Sequence, residues 1–244
     1  MKIFVCFISL CIFCCFASNG ITQQVYSESG QTGLSFLRIP PVARIAALGG
    51  AGVSNTEDAS SAWLNPSLLV FSGNRSAQFS HTEWIEGIRQ EYAAVSTYSN
   101  AGALGFSVQL FDSGDIELRG PNPTQSSIGT YSMKNVSLDF SYSRFIYKQL
   151  SIGITYKKLF EKDAQESAGG YAIDGGITWR PKNGLAFAAV ARNYGRMGIL
   201  KDERIKIPSD MSMGFLYSGI IPGANRKFTL VGDYVAPKYG DQGI

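Results

Sequence analysis

From residue 76 onward, apolar and polar positions alternate with a period of two. Leu138, Phe140 and Tyr142 are separated by Asp139 and Ser141, and the same pattern recurs at residues 106–110, 151–157, 171–179, 211–218 and 227–234. Successive side chains of a strand point to opposite faces, so the alternation predicts strands with one apolar and one polar face. We expect roughly nine strands of about ten residues, the length that a tilted strand needs to cross a bilayer.

The predicted connections alternate between short and long. Tight turns are expected at residues 99–101, 148–149 and 181–183, and long links at 83–89, 112–130, 162–169 and 193–208, with an intermediate link at 218–226. Outer-membrane barrels have short periplasmic turns and long external loops. The sequence therefore predicts an antiparallel transmembrane β-barrel.

A soluble periplasmic β-protein is the alternative, because the strands of a soluble sandwich also alternate. Sandwich strands are usually only about five or six residues long. Here the face opposite the apolar one is small and polar (Gly, Ser, Thr and Asp), which is typical of a barrel interior. Aromatic residues are also expected near strand ends, where their rings would lie at the two membrane–water interfaces. These residues are Tyr147, Tyr156, Trp179, Tyr217 and Tyr234.

Residues 21–75 do not alternate. They contain a run of small residues at 43–52, and then a short predicted helix with Asn55 or Thr56 as its N-cap. Acidic residues in the first turn favour the helix, and Pro66 disfavours helix at the residue before it. These acidic residues are Glu57 and Asp58.

The first twenty residues resemble a signal peptide. Lys2 precedes an apolar run at residues 3–16, and small and polar residues follow at 17–20. The run is too short to cross a bilayer as a helix. A lipoprotein signal is disfavoured, since neither Cys14 nor Cys15 follows the small residue that lipidation requires. All four cysteines of the chain lie in this segment, so cysteine chemistry is not expected in an exported protein cleaved after it.

Composition narrows the function classes. Hydrophobic residues make up 45% of the chain and charged residues 17%, which excludes a disordered composition. The mean hydropathy of zero argues against a bundle of membrane helices. The net charge of +3, with no runs of Lys or Arg, indicates no nucleic-acid partner.

Several motifs resemble the PorV/PorQ family of outer-membrane proteins. They are Phe-Leu-Arg-Ile-Pro-Pro at 36–41 with Leu-Gly-Gly-Ala-Gly at 48–52, Glu-Asp-Ala-Ser at 57–60, Trp-Leu-Asn-Pro-Ser-Leu-Leu at 63–69, Phe-Ser-His-Thr-Glu-Trp at 79–84 and Asp-Ser-Gly-Asp-Ile at 112–116. The resemblance implies a barrel similar to the fatty-acid channel FadL, with the N-terminal segment in the lumen. It also implies a role in type IX secretion, with cargo carrying C-terminal sorting domains and other secretion components as partners.

The number of strands departs from that family. FadL-like barrels have about fourteen strands, and bacterial single-chain barrels have an even number. We therefore expect a barrel truncated at its C-terminus, with an open seam between the strand near residues 76–82 and the strand near 227–235.

Few residues suggest chemistry. His81 is the only histidine, which excludes a zinc site built on histidines, and we expect a structural role for it. Carboxylates on the presumed lumen side, together with Lys157, suit a solvated wall better than acid–base catalysis, and they are Asp139, Asp174 and Asp233. Asp112, Asp115 and Glu117 do not have EF-hand spacing and fit a solvated loop.

Gly49-Gly50-Ala51-Gly52 lacks the Lys-Ser/Thr of a phosphate loop, so we expect these glycines to pack closely against the wall. Trp63 and Pro66 are expected to anchor the N-terminal segment rather than to touch a ligand. No catalytic, cofactor or metal site is predicted.

These observations predict an all-β, FadL-like barrel, incomplete in this chain, with a signal peptide at 1–20, a lumenal plug at 21–75 and barrel strands at 76–244. The expected function is non-enzymatic assistance of protein secretion or surface attachment in the cell outer membrane. The expected partners are outer-membrane lipid, cargo and other secretion components. Loops 112–130 and 193–208 are expected to dock cargo, and the alternative is a FadL-like channel for hydrophobic small molecules.

Overall fold

The computed structural model describes residues 32–55, 58–73, 75–119, 127–163, 166–182, 184–200, 203–221 and 226–239. The predicted signal peptide lies outside the described residues, as do Thr56 and Glu57 of the predicted helix start.

Thirteen strands account for most of the described chain. In order they are β1 (Arg75–Glu83), β2 (Arg89–Ser99), β3 (Gly102–Asp112), β4 (Ile116–Leu118), β5 (Gly129–Tyr131), β6 (Lys134–Tyr147), β7 (Leu150–Lys162), β8 (Ser167–Lys182), β9 (Leu185–Met197), β10 (Ile199–Leu200), β11 (Glu203–Arg204), β12 (Asp210–Ile221) and β13 (Arg226–Pro237). Nine of them form one antiparallel sheet in the order β1-β2-β3-β6-β7-β8-β9-β12-β13. The all-β prediction is therefore confirmed.

The large sheet is open. β1 lies at one edge and β13 at the other, as the sequence predicted, and within the described residues these two strands do not pair with each other. The remaining strands form two small ribbons, β4 with β5 and β10 with β11, which the sequence analysis did not predict.

The two faces of the sheet distribute polar and apolar side chains in the reverse of the way a soluble protein does. Asp139 on β6 is 2% exposed, whereas Phe140, the next residue, is 59% exposed. This alternation holds along the central strands, so that small polar side chains are buried and large apolar ones are open. We call the two sides the inward face, which carries Asp139, and the outward face, which carries Phe140.

Connections of two residues lie at one end of the sheet, the tight-turn end, and the longest connections, at 113–133 and 198–209, lie at the other, the loop end. Strands β2 and β3, β6 and β7, β8 and β9, and β12 and β13 join at the tight-turn end. The two small ribbons lie in long connections at the loop end. The prediction of a long link at 162–169 is wrong, because only four residues separate β7 from β8. The predicted start of the link at 193–208 is also wrong, because β9 continues through Asn193 to Met197.

Short helices form the N-terminal segment, by which we mean residues 32–73. They are the 3₁₀ helix η1 (Ser35–Arg38), α1 (Ala43–Ala47), α2 (Ser61–Leu64) and the 3₁₀ helix η2 (Pro66–Phe71), and a further 3₁₀ turn, η3 (Ile85–Gly87), joins β1 to β2. The prediction of Asn55 as N-cap is wrong, since α2 begins after Ser60. Its end at Asn65, before Pro66, agrees with the prediction.

No helix within the described ranges combines the length and the hydropathy needed to cross a membrane. The five aromatic residues expected at strand ends are all exposed. Tyr156 nevertheless lies at the middle of β7, so its predicted place at a strand end is wrong.

Candidate functional site

The N-terminal segment packs on the inward face of the large sheet and buries the polar side chains of that face. Its apolar residues form three clusters with inward-facing residues, and Leu34, Phe36, Trp63, Leu64 and Leu69 are among the buried members. The candidate functional site is this interface between the N-terminal segment and the inward face.

Asn65 and Ser67 anchor the centre of the segment. Asn65 Nδ2 donates to the carbonyl of Val53 at 2.9 Å and to Thr178 Oγ1 on β8 at 3.2 Å. Asn65 Oδ1 accepts from the backbone N–H of Ser67 at 3.0 Å and from its hydroxyl at 2.7 Å. All three side chains are buried, so the amide of Asn65 fixes the turn into η2 and ties it to the sheet.

The carbonyl of Ser67 extends this anchor across neighbouring strands. Ser151 on β7 donates its hydroxyl to that oxygen at 2.8 Å, and Ser143 on β6 donates at 3.2 Å. Since a buried carbonyl must be paired, the two serines explain why small hydroxyl residues occupy these inward positions.

Two glycines make room for the anchor. A Cβ at Gly153 on β7 would overlap the backbone of Pro66 and Ser67, and a Cβ at Gly176 on β8 would overlap the amide of Asn65. Glycine in a strand often marks such a close approach of another backbone. The prediction that Pro66 anchors the segment is therefore supported by its contact with the wall.

A second anchor joins the segment to the edge strand β13. Asp233 Oδ2 accepts from the backbone N–H of Gly52 at 2.6 Å and from that of Val53 at 3.0 Å. Gly214, opposite Asp233 in the sheet, leaves room for the carboxylate and for Val53. The prediction that Asp233 lines a solvated wall is therefore wrong, because its carboxylate accepts hydrogen bonds from backbone N–H groups of the N-terminal segment.

A third contact closes the loop end of the interface. Gly33 donates its N–H to the carbonyl of Lys206 at 3.1 Å, and Gln109 on β3 donates to the carbonyl of Phe36 at 3.1 Å. Ile207 is buried among Phe36 and other residues of one apolar cluster. The prediction of residues 193–208 as an external docking loop is therefore wrong for its last part, which packs inside.

A buried group of charges lies beneath that contact. Lys157 Nζ lies 2.8 Å from Asp174 Oδ2, and the two side chains are 1% and 0% exposed. Lys157 also donates to Asn193 Oδ1 at 2.7 Å, and the N–H of Asn193 donates to Asp174 Oδ1 at 2.6 Å. Asp139 pairs with Lys157 in the register of β6 and β7 and accepts from Ser137. The prediction that these residues line a solvated wall is therefore wrong. The N-terminal segment and the inward-packed connection cover them and exclude water.

A bulge positions Asn193 in this group. The register of β8 and β9 shifts between the pairs formed by Ile173 and Gly175, and Asn193 has a φ of 60°. Asparagine tolerates the left-handed region better than most residues. Ser209, which follows the inward-packed part of the connection, donates to the carbonyl of Asn193 at 2.7 Å. The bulge therefore links the buried charges to the inner loop.

Arg192 forms a second internal ion pair. Its guanidinium donates twice to Asp210 Oδ1 on β12, at 2.8 and 3.0 Å, and lies 5.6 Å from the ring centre of Trp63. Trp63 is buried in an apolar cluster with Tyr92 and Val190. These contacts support the expectation that Trp63 anchors the segment.

The remaining candidates lie elsewhere. His81 is on the outward face, where its Nδ1 lies 2.6 Å from Glu91, so it does not meet the inward serines and aspartates. Asp112 lies between Arg89 at 3.6 Å and Lys134 at 3.8 Å. Within the described residues, no group of three or more metal-ligating side chains converges. The arrangement is suited to holding a folded segment against a wall.

Sequence reasoning missed the partners that make this interface. Asn65, Ser67, Ser143, Ser151 and Thr178 carry no catalytic signature and join positions far apart in the chain. The pairing of Asn193 with buried charges was also missed. The available signal was the occurrence of glycine and serine at inward positions of three adjacent strands.

Comparison with known families supplies the remaining evidence. Residues 22–175, more than half of the chain, match the model of the type IX secretion system protein PorV. The match contains the N-terminal segment, β1 to β7 and the first part of β8, and therefore includes Asn65, Ser67 and the two serines that donate to the Ser67 carbonyl. A comparison with curated proteins finds no significant match. The chain belongs to the PorV family of type IX secretion system proteins.

Proposed function

We propose that this protein is a non-enzymatic wall of an outer-membrane β-barrel that assists type IX secretion. The observation that carries the membrane placement is the inverted polarity of the sheet. Phe79, Met213 and Phe140 on the outward face are 70%, 64% and 59% exposed, whereas the inward side is polar and packed. A soluble sheet of this kind would expose a large apolar surface to water.

The strand dimensions support the same placement. The nine strands of the large sheet run from 9 residues in β1 to 16 in β8, and tilted strands of about 9–11 residues cross a bilayer. In hydrocarbon each unpaired backbone group costs several kcal/mol. The edges β1 and β13 must therefore be paired in the membrane.

The anchored N-terminal segment favours a role in protein handling over passage of small molecules. Segment residues fill the inward face and are tied to β6, β7, β8 and β13. The FadL-like channel for hydrophobic small molecules is therefore the less favoured function. We propose that the exposed loop end, and the ribbon of β4 and β5 above all, meets secreted cargo or another secretion component.

Apolar side chains at the ribbon of β4 and β5 are exposed and could contact a protein partner. Leu118 is 48% exposed and Ile128 is 68% exposed, and the N–H of Ile128 donates to the carbonyl of Leu118 at 2.9 Å. Exposed apolar side chains on a backbone-paired ribbon offer a surface to a protein partner.

Secretion in the native bacterium tests the proposal. Cells without the gene are expected to retain cargo with C-terminal sorting domains, and the wild-type gene is expected to restore its export. Exchange of Leu118 and Ile128 for Ser should impair export while the protein stays in the outer membrane. Normal export without the gene would refute the secretion role.

Topology is tested separately. A single cysteine at Ile128 is expected to react with an impermeant maleimide on intact cells, and one at Lys148 in a tight turn is expected not to react. The reverse labelling would overturn the proposed orientation, and recovery of the protein in the soluble periplasmic fraction would overturn the membrane placement.

A further inference from the structure

A large groove crosses the outward face of the sheet near β1. It has a volume of about 880 Å³ and is lined by apolar side chains from β1, β2, β3, β6 and β7. Ala77, Val95, Phe106, Phe140 and Tyr156 form one continuous cross-strand row along it. The small side chain of Ala77 leaves the groove open where the aromatic rings flank it.

Arg75 lies at the end of this groove. It is the first residue of β1 and lines the groove together with Tyr142. Its side chain is exposed, and within the described residues it forms no hydrogen bond or ion pair. The guanidinium group is therefore available to an anion placed at the end of an apolar channel.

The charge of the whole tight-turn end favours an anion. The described residues of this end are 72–73, 75–77, 97–104, 143–152, 178–182, 184–187, 216–221 and 226–229, and they contain seven Lys and Arg residues but neither Asp nor Glu. The carboxylates of the strands and connections lie instead towards the loop end or on the inward face. A ligand whose one charged group is anionic would therefore be oriented with that group at the tight turns.

We propose that the groove binds a phospholipid, with an acyl chain along the apolar row and the phosphate at Arg75. The proposal rests on the membrane placement proposed above, since the groove opens on the face that meets lipid. Arginine presents a planar fork of donors that matches phosphate geometry. An apolar groove that ends in a single type of charge complements an amphiphile better than it complements a protein surface of mixed polarity.

Native mass spectrometry of the protein extracted from membranes tests this site. Phosphatidylglycerol is titrated against the wild type, Arg75→Gln and Val95→Trp, which fills the groove with an outward indole. We expect about tenfold weaker binding in Arg75→Gln, from loss of a charge-assisted contact, and loss of the tightest bound lipid in Val95→Trp. Diacylglycerol, which lacks the phosphate, should bind the wild type and Arg75→Gln equally.

Matched controls separate the groove from general lipid contact. Arg144→Gln removes another exposed cation of the tight-turn end, and Ile173→Trp adds an indole to the outward face of β8, so both should bind as the wild type does. Inorganic phosphate should not displace the lipid. Equal binding by Arg75→Gln and Arg144→Gln would overturn the proposal. It would also be overturned if the wild type were a dimer and Val95→Trp became a monomer that still bound the lipid, because the groove would then be an interface between two copies of the chain.

Failure of this proposal is distinguishable from failure of the proposed function. Protein that extracts from membranes, yet binds lipid without regard to Arg75 or Val95, overturns the lipid site alone. Protein that never enters the membrane fraction overturns the membrane placement.

Discussion

Lys157 and Lys158 are consecutive residues of β7 that lie on opposite faces of the sheet. Lys157 is 1% exposed and pairs with Asp174, whereas Lys158 is exposed and lies 5.6 Å from the ring centre of Phe160. The same side chain is thus a buried structural cation on one face and a peripheral charge on the other. The face, more than the residue type, decides what each side chain contributes.

The comparison extends to the whole sheet. The inward face is a polar core, closed by a segment whose hydrogen bonds reach β6, β7, β8 and β13. The outward face carries mainly apolar side chains, and many of them are more than 40% exposed. A soluble protein places its apolar side chains in the core, so this reversal indicates that the outward face has a partner of its own, which we propose to be lipid.

The largest expected difference between the faces comes from the two lysines. Lys157→Met leaves Asp174 buried without its cation, and removal of one partner of a buried ion pair costs about 3–5 kcal/mol. Lys158→Met should change the free energy of unfolding by far less. Urea unfolding in detergent micelles measures both, and similar losses in the two variants would contradict the assignment of faces.

Two neighbouring glycines of β8, one on each face, allow a second comparison between the faces. Gly176→Ala places a Cβ against the amide of Asn65, whereas Gly175→Ala meets no atom within 4 Å. Overpacking at a close contact costs about 1–3 kcal/mol. We expect only Gly176→Ala to lower the temperature at which the folded band is lost in heat-dependent gel migration. A stable Gly176→Ala protein would mean that the N-terminal segment does not rest there.

A smaller effect is expected at the edge strand. Asp233→Asn keeps an acceptor for Gly52 and Val53 but removes its charge, and hydrogen bonds to charged groups exceed neutral ones by about 1 kcal/mol. Thr229→Val, on the same strand and exposed, serves as the control. Limited proteolysis should cut the N-terminal segment faster in Asp233→Asn only, and equal rates would show that Asp233 does not hold it.

Period-two alternation was sufficient to predict the nine strands of the large sheet and their faces, but not the four short strands of the two ribbons. Ser137, Asp139 and Ser141 lie inward and Phe140 and Tyr142 outward because a strand has no other way to place consecutive side chains. The nine-stranded sheet and its edge strands follow from the same pattern and the connection lengths.

The interior contacts depend on long-range packing, which alternation does not encode. The pairing of Lys157 with Asp174 and the burial of Asp139 require a cover that comes from the N-terminal segment and from residues 205–209, both far from these positions in the chain. The inward course of residues 205–209 was equally hidden, although Ile207 and Pro208 are unusual in an external loop. The start of α2 was misplaced because an acidic turn resembles a helix start even where the helix has only four residues.

The central claim, that the outward face lies in lipid, is tested most directly by spin labels on neighbouring residues. Single cysteines at Ile152, Ile154, Thr155 and Tyr156 of β7, in protein reconstituted into bilayers, carry a nitroxide whose collisions with oxygen and with a water-soluble nickel complex are measured. We predict high oxygen and low nickel accessibility at 152, 154 and 156, and low values for both at 155. Nickel accessibility at the outward positions equal to that of a label at Lys148 would contradict the account.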